Sequence, residues 1–199
     1  MPVQIGAPAH NFSDPTGLLS DCHRRIEMFL GVLERVASIV DRPLAAETRT
    51  ALESALRYFR EAAPKHTEDE EESLFPRLRK MHLPDLEAAI ERLQPLECDH
   101  LLAGSLHSQV EELGQRYLAA GRLESTGVEA FRKAVAELVS LYKEHIRIED
   151  DFVFPLAARL LSTTAKAAIA SEMAARRAVG IVDVKDKILG SHSPATTPS

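Results

Sequence analysis

The sequence predicts an all-α fold: an up-down-up-down four-helix bundle with an additional C-terminal helix. Along four long stretches, apolar residues recur at alternating steps of four and three residues, which is typical of helices that bury one face in a bundle. Short segments rich in turn-forming residues separate these stretches, as expected for antiparallel neighbours. No segment combines strand-like alternation with a hairpin turn, which argues against a β-rich fold.

The first two bundle helices follow an irregular N-terminal arm, residues 1–17, which contains three prolines and two glycines. The first apolar stripe covers residues 19–40 and ends before a turn at Pro43. The second stripe covers residues 52–73. We expect Pro64 to bend this second helix, because its ring removes one backbone hydrogen bond.

The third and fourth bundle helices also carry prolines. The third is expected over about residues 85–119, with a kink at Pro95, and a turn at Gly121 leads into the fourth. The fourth stripe covers residues 131–152, and we expect Pro155 to bend or stop that helix.

These elements define the domain organisation. The bundle spans residues 18–161, and a shorter Ala-rich helix follows over residues 162–180. Residues 181–199 end in a stretch rich in Ser, Pro and Thr and are expected to form a flexible tail.

Composition excludes several classes of function. A chain of 199 residues with 45% hydrophobic and 27% charged residues is typical of a soluble globular protein. Its 24 basic and 30 acidic residues give a net charge of −6, which argues against a nucleic acid or an anionic membrane as partner. No apolar run is long enough to cross a membrane and no signal-peptide pattern is present, so we expect a cytoplasmic protein.

The histidine and glutamate residues most suited to a functional site lie in an internal repeat. His66, Glu70 and the pair Phe75-Pro76 have the same spacing as His145, Glu149 and the pair Phe154-Pro155. A second pair of histidines, His23 and His100, lies upstream in the two halves. One half of the bundle therefore looks like a copy of the other.

The repeated residues predict a metal centre. Glu70 and Glu149 fall on apolar stripes, where a carboxylate is costly unless it is paired or binds a metal. A spacing of four residues puts His and Glu on one helix face, so both reach the bundle interior. Four imidazoles and two carboxylates suit two metal ions, each with one or two open positions for a small ligand. The predicted ligands are His23, His66, Glu70, His100, His145 and Glu149.

Other polar residues near these positions leave alternatives open. Glu71 is a possible alternate ligand within an acidic run that otherwise reads as a solvated face. His107 lies two turns beyond His100, which is too far along the helix to join the metal site. Tyr142 is a candidate hydrogen-bond donor to the site, a redox-active phenol, or simply an amphipathic core residue. The remaining histidines and the cysteines are not expected to bind metal, the cysteines being read as free thiols: His10, His82, His192, Cys22 and Cys98.

At these residues the sequence resembles the hemerythrin-like family, also called the HHE cation-binding domain. Four segments carry the resemblance over about residues 18–161: Asp21-Cys22-His23-Arg24-Arg25-Ile26, His66 to Pro76, Cys98-Asp99-His100, and His145 to Pro155. The segment from Glu172 to Arg177 also resembles a trailing helix of many bacterial members.

The resemblance implies a non-haem di-iron centre with an oxo or hydroxo bridge. By position, His23 and His66 would hold one iron. His100 and His145 would hold the other. Glu70 and Glu149 would bridge the two ions.

One departure from the family bears on function. Oxygen-carrying hemerythrins place a second histidine one turn after the first in the third helix, and here that position is Gly104. The sequence therefore favours the hemerythrin-like proteins used in sensing or redox chemistry over an oxygen carrier.

Three functions remain open. We favour a di-iron protein that binds or senses oxygen, nitric oxide or hydrogen peroxide. The alternatives are a di-iron oxidoreductase that consumes peroxide or nitric oxide, and a bundle for iron storage or protein interaction with a structural metal. The sequence does not decide whether the chain is an enzyme, and manganese or zinc also suits imidazole and carboxylate ligands.

Overall fold

The computed structural model describes residues 10–81 and 87–177. No strand occurs in this described part of the chain. The all-α prediction is therefore confirmed. The described helices include none that is long and apolar enough to cross a membrane.

Eight α-helices and two π-helical turns make up the described chain. In order they are α1 (Pro15–Ile39), α2 (Ala46–Glu61), α3 (Ala63–Glu68), π1 (Asp69–Leu74), α4 (Phe75–Arg79), α5 (Glu87–Ala120), α6 (Ser125–Ile148), π2 (Glu149–Val153), α7 (Phe154–Leu160) and α8 (Thr163–Arg176). The second bundle helix runs from α2 through α4, and the fourth from α6 through α7. Because α1 and α5 each contact both α2 and α6, the four bundle helices form a closed ring with α8 as the additional helix.

Local sequence explains the ends of two helices. The side chain of Asp14 accepts a hydrogen bond from the backbone N–H of Gly17 at 3.1 Å, and Pro15 is the first residue of α1. The helix therefore begins inside the segment that we assigned to the N-terminal arm. Gly121, which follows α5, has a φ of +74°, a left-handed conformation that glycine adopts without strain.

The prolines act in three different ways. The second bundle helix is interrupted at Ala62, and Pro64 lies in the first turn of α3, where no backbone N–H is needed. The third bundle helix continues through Pro95. The fourth does not stop at Pro155 but passes through π2 into α7.

The two π turns form where each half of the repeat approaches its Phe-Pro pair. The N–H of Phe75 donates to the carbonyl of Glu70, five residues earlier, and that of Phe154 donates to the carbonyl of Glu149 in the same way. The next residue in each case is proline, which has no N–H and whose ring clashes with the carbonyl four residues before it. A wider turn avoids this clash. We did not predict these turns.

Two separate clusters of buried apolar residues form the core of the bundle. One contains Ile26 and Leu138, and the other contains Leu19, Phe75 and Phe154. Because His23 stands between Leu19 and Ile26 on α1, its ring is enclosed from both ends.

Some predictions fall outside the described residues. They concern most of the N-terminal arm, the start of the third helix, His82, the last residues of the C-terminal helix, the tail and His192.

Candidate metal centre

Each bundle helix supplies one imidazole to the interior, and the two π turns supply one carboxylate each. His23, Glu70 and Glu149 have no exposed surface, and His66 and His145 are at most 5% exposed. The structure thus brings together all six residues predicted from the sequence: His23 from α1, His66 from α3, Glu70 from π1, His100 from α5, His145 from α6 and Glu149 from π2.

His23 and His66 form the first of two clusters with the carboxylates. His66 Nε2 lies 3.1 Å from Glu70 Oε1, and His23 Nε2 lies 3.1 Å from Glu149 Oε2. The two rings meet edge to face, with centroids 4.8 Å apart.

His100 and His145 form the second cluster. His100 Nε2 is 3.4 Å from Glu70 Oε2, and His145 Nε2 is 3.2 Å from Glu149 Oε2. The two Nε2 atoms face each other at 3.1 Å.

Glu70 and Glu149 belong to both clusters. In each cluster, one potential ligand atom from every residue lies within 4.8 Å of all the others. Glu70 turns one oxygen toward His66 and the other toward His100, as a carboxylate that bridges two cations would. The arrangement therefore forms two adjacent groups of side chains, each of which could hold a metal ion.

Unsatisfied polar atoms show that these residues fit a metal. Both carboxylate oxygens of Glu70, both of Glu149 and Nε2 of His23 are buried without a hydrogen-bond partner among the described residues. Neighbouring imidazole nitrogens lie 3.1–3.4 Å from carboxylate oxygens of Glu70 and Glu149. Leaving so many polar atoms unpaired in a protein interior is costly, and a bound cation removes that cost.

Without a cation, the cluster keeps its charge down by holding protons. Burial and the nearby Glu149 hold the pKa of Glu70 well above its usual range. Burial also opposes ionisation of Glu149, but the close rings of His145 and His23 outweigh it and lower its pKa. Burial disfavours the charged form of His23 too, yet Asp150 and Glu149 raise its pKa to about 9. Metal ions would replace these protons.

Three further carboxylates contact the outer nitrogens of three imidazoles, whereas Nδ1 of His66 is buried without a hydrogen-bond partner among the described residues. Asp150 Oδ1 is 3.0 Å from Nδ1 of His23, and Glu71 Oε1 is 2.8 Å from Nδ1 of His100. Asp99 Oδ2 is 3.4 Å from Nδ1 of His145. Such contacts orient a ring so that Nε2 points to the metal, and they make it a better ligand.

A family model matches this bundle. The hemerythrin HHE cation-binding domain matches residues 14–157, which covers all four bundle helices. The chain belongs to the hemerythrin HHE family. Membership implies that the bundle binds a metal cation, typically iron, and the two His/Glu clusters could hold one.

A more distant relative comes from Haemophilus influenzae (strain ATCC 51907 / DSM 11121 / KW20 / Rd). That uncharacterized protein is 25% identical over 170 residues, which cover 84% of this chain and 92% of the relative. No solved structure matches the chain.

Within this hemerythrin HHE bundle, Glu71, which the sequence left open as an alternate ligand, lies outside the shared centre. Its carboxylate contacts the outer nitrogen of His100, a predicted ligand, and Glu71 belongs to neither cluster. The reason is helical phase, since Glu71 is one residue beyond the inward-facing Glu70.

His107 and Tyr142 lie beside the HHE clusters and contact each other. His107 Nε2 is 3.0 Å from the Tyr142 hydroxyl, and His107 is absent from both clusters. The Tyr142 ring meets that of His145 edge-on at 6.3 Å between centroids. Tyr142 therefore supports His107 by hydrogen bonding and His145 by packing.

The remaining candidates lie away from the clusters. Cys22 and Cys98 are free, with Cys22 buried and receiving a hydrogen bond from Arg25 at 3.2 Å. His10 is exposed and lies 3.3 Å from Asp21.

Asp99 and Asp150 were not predicted as site residues from the sequence. Each is adjacent in sequence to a predicted ligand, Asp99 before His100 and Asp150 after Glu149. Only this adjacency could have indicated them from the sequence, because neither residue lies on the apolar stripe of its helix.

Proposed function

We propose that this bundle binds two iron ions and uses them to bind or sense a small ligand, namely oxygen, nitric oxide or hydrogen peroxide. The observation that carries the proposal is the pair of buried clusters that share Glu70 and Glu149. Each cluster offers two imidazole nitrogens and two carboxylates, fewer groups than a six-coordinate ion takes, so positions stay open for a ligand. Two iron ions would supply redox chemistry and a Lewis-acid binding site at those positions.

The charges around the clusters support two divalent ions. Two such ions and two carboxylates leave a net charge of +2, which a bridging hydroxide or oxide reduces. The outer carboxylates Asp150, Glu71 and Asp99 place further negative charge one imidazole away. They also hold protons on the outer nitrogens and leave the inner ones free to bind metal.

Family membership, rather than the donor atoms alone, favours iron, since imidazole and carboxylate ligands also suit manganese and zinc. Both cysteines lie outside the clusters, and the ligands are imidazole and carboxylate in equal numbers within each cluster. This mixture is usual for redox-active non-haem iron in helical bundles. Because Gly104 stands where oxygen carriers have a further histidine, we favour sensing over oxygen transport.

A second candidate function is turnover of peroxide or nitric oxide at the same centre. It is favoured by a cavity that reaches His100, since a reacting molecule needs access to the centre. Consumption of peroxide that stops on metal removal would separate this function from sensing.

The test is metal analysis combined with optical spectra. We expect about two irons per chain in protein expressed with ample iron, and new near-ultraviolet bands when anaerobic protein meets oxygen. His66→Ala and Glu149→Gln should each lose iron, whereas His10→Ala should keep it. Circular dichroism checks that the variants fold. Stoichiometric iron in both folded ligand variants would contradict the proposal.

A further inference from the structure

A cavity of about 650 Å³ opens beside His100, between the second, third and fourth bundle helices. Sites for small organic molecules enclose roughly 300–1,000 Å³. The volume is far larger than a diatomic gas or a peroxide needs, so the ligands of the proposed metal site do not explain it.

The inner walls of the cavity are mainly apolar. Leu56 and Phe59 come from α2, and Ala103 and Val110 come from α5. Gly104 lies at the exposed rim of the α5 wall, where a Cβ atom would meet nothing within 4 Å. The cavity is therefore open at the turn of α5 that follows His100.

One polar pair lies among these walls. The hydroxyl of Tyr142 is 3.0 Å from Nε2 of His107, and the His107 ring stacks on Phe59 with centroids 4.4 Å apart. Burial lowers the pKa of His107 to about 4, so this ring is neutral at pH 7. A tyrosine hydroxyl has one donor and two acceptor sites, and one contact with His107 leaves capacity for a hydrogen bond to a ligand.

The charged residues on the lining are mainly acidic. Glu68, Glu111 and Glu112 contribute three carboxylates against the one guanidinium of Arg60, which pairs with Glu111 at 2.9 Å. This excess of negative charge disfavours an anionic ligand.

We propose that the cavity binds a neutral aromatic molecule that carries a hydroxyl group, with the ring against Phe59 and the hydroxyl at the Tyr142–His107 pair. The apolar walls provide the burial, the polar pair fixes the orientation, and the acidic lining excludes carboxylates. Binding uses residues outside the two metal clusters and does not require that the proposed metal chemistry be correct. A molecule held there lies next to His100.

The experiment is a titration of the full-length protein, as purified and with its metal content measured, followed by NMR chemical shifts. Phenol is the probe, toluene lacks the hydroxyl, and benzoate adds a negative charge. We expect phenol to shift resonances of cavity residues and to bind roughly three- to tenfold more tightly than toluene, since toluene loses one hydrogen bond. Benzoate should bind least tightly.

Two leucine variants test the location. Gly104→Leu adds a bulky side chain at the rim of the cavity and should weaken phenol binding by about tenfold. Gly31→Leu is the matched control, because a Cβ atom at Gly31 also meets nothing within 4 Å but lies on α1, away from the cavity. Tyr142→Phe should reduce the preference for phenol over toluene, because only His107 of the pair is then left to contact the hydroxyl.

Four results would each overturn the proposal: no phenol binding, binding that Gly104→Leu leaves intact, an equal loss in Gly31→Leu, or benzoate binding as tightly as phenol. Metal content measured on the same samples keeps these outcomes separate from those of the iron proposal.

Discussion

Arg176 of α8 donates a hydrogen bond to Asp69 across 3.0 Å, which ties the last described helix to the π turn that carries Glu70. Asp69 has no exposed surface, and Arg177 donates to its other oxygen at 2.5 Å. Arg176 also reaches Ser73 and Glu72 of the same turn. The C-terminal helix therefore holds π1 in place by pairing the charge next to the shared carboxylate.

Removal of both arginines should destabilise the protein strongly. In the double variant Arg176→Ala/Arg177→Ala, Asp69 keeps its burial and loses its cationic partners, so we expect the free energy of unfolding to fall by about 3 kcal/mol. Urea unfolding monitored by circular dichroism measures this change. Arg147→Ala breaks two exposed pairs, with Glu144 and Asp151, and should unfold like the wild type. A similar decrease in the free energy of unfolding in both variants would show that the contacts with Asp69 contribute no more than an exposed ion pair.

His107 should make stability depend on pH in a predictable direction. Burial lowers its pKa to about 4, whereas the unfolded value is about 6.5. Between these values the unfolded chain binds the proton and the folded chain does not, so stability is lost as pH falls from about 6.5 to 4.

The matching variant is His107→Gln, which cannot titrate but keeps a polar group near Tyr142. Relative to this variant, the wild type should lose about 2 kcal/mol of unfolding free energy between pH 7 and pH 5. Urea unfolding at several pH values measures the difference. Parallel curves for the two proteins would contradict the assignment.

The sequence was sufficient for the bundle and for the convergence of six polar residues, because both depend on helical phase. His66 and Glu70 lie four residues apart on an apolar stripe, so burial of that stripe brings them inside together. The π turns depend instead on which backbone hydrogen bonds form before proline. The spacing of apolar residues along a helix does not predict those bonds. From the sequence alone, Asp150 looks like a solvent-exposed residue. The fold places it against His23, which is 127 residues away in the sequence.

Asp150 should control metal affinity without touching the metal. Its carboxylate holds Nδ1 of His23 at 3.0 Å, and loss of such an outer partner typically weakens metal binding by roughly 10–100-fold. Asp150→Asn should therefore lose iron to a chelator at lower chelator concentration than the wild type. Asp151→Asn is the neighbouring control, since Asp151 is exposed and outside both clusters. Equal iron retention in all three proteins would show that the contact does not tune the ligand.

Pro76 should hold Glu70 in its bridging position through the π turn. With alanine at 76, an N–H becomes available to the carbonyl of Glu72, four residues earlier, and favours an ordinary α-helical turn. That change removes the extra residue of the π turn, so Glu70 and Phe75 no longer both face the interior as they do here. We expect Pro76→Ala to fold but to retain less iron under competition with a chelator.

Pro64→Ala is the matched control, because Pro64 is also the second residue of a short α-helix on the same bundle helix and no π turn precedes it. It should retain iron as the wild type does. By the internal repeat, Pro155→Ala should act on Glu149 as Pro76→Ala acts on Glu70. If Pro76→Ala keeps both its iron and its π turn in a crystal structure, the register is set by the buried carboxylate rather than by proline.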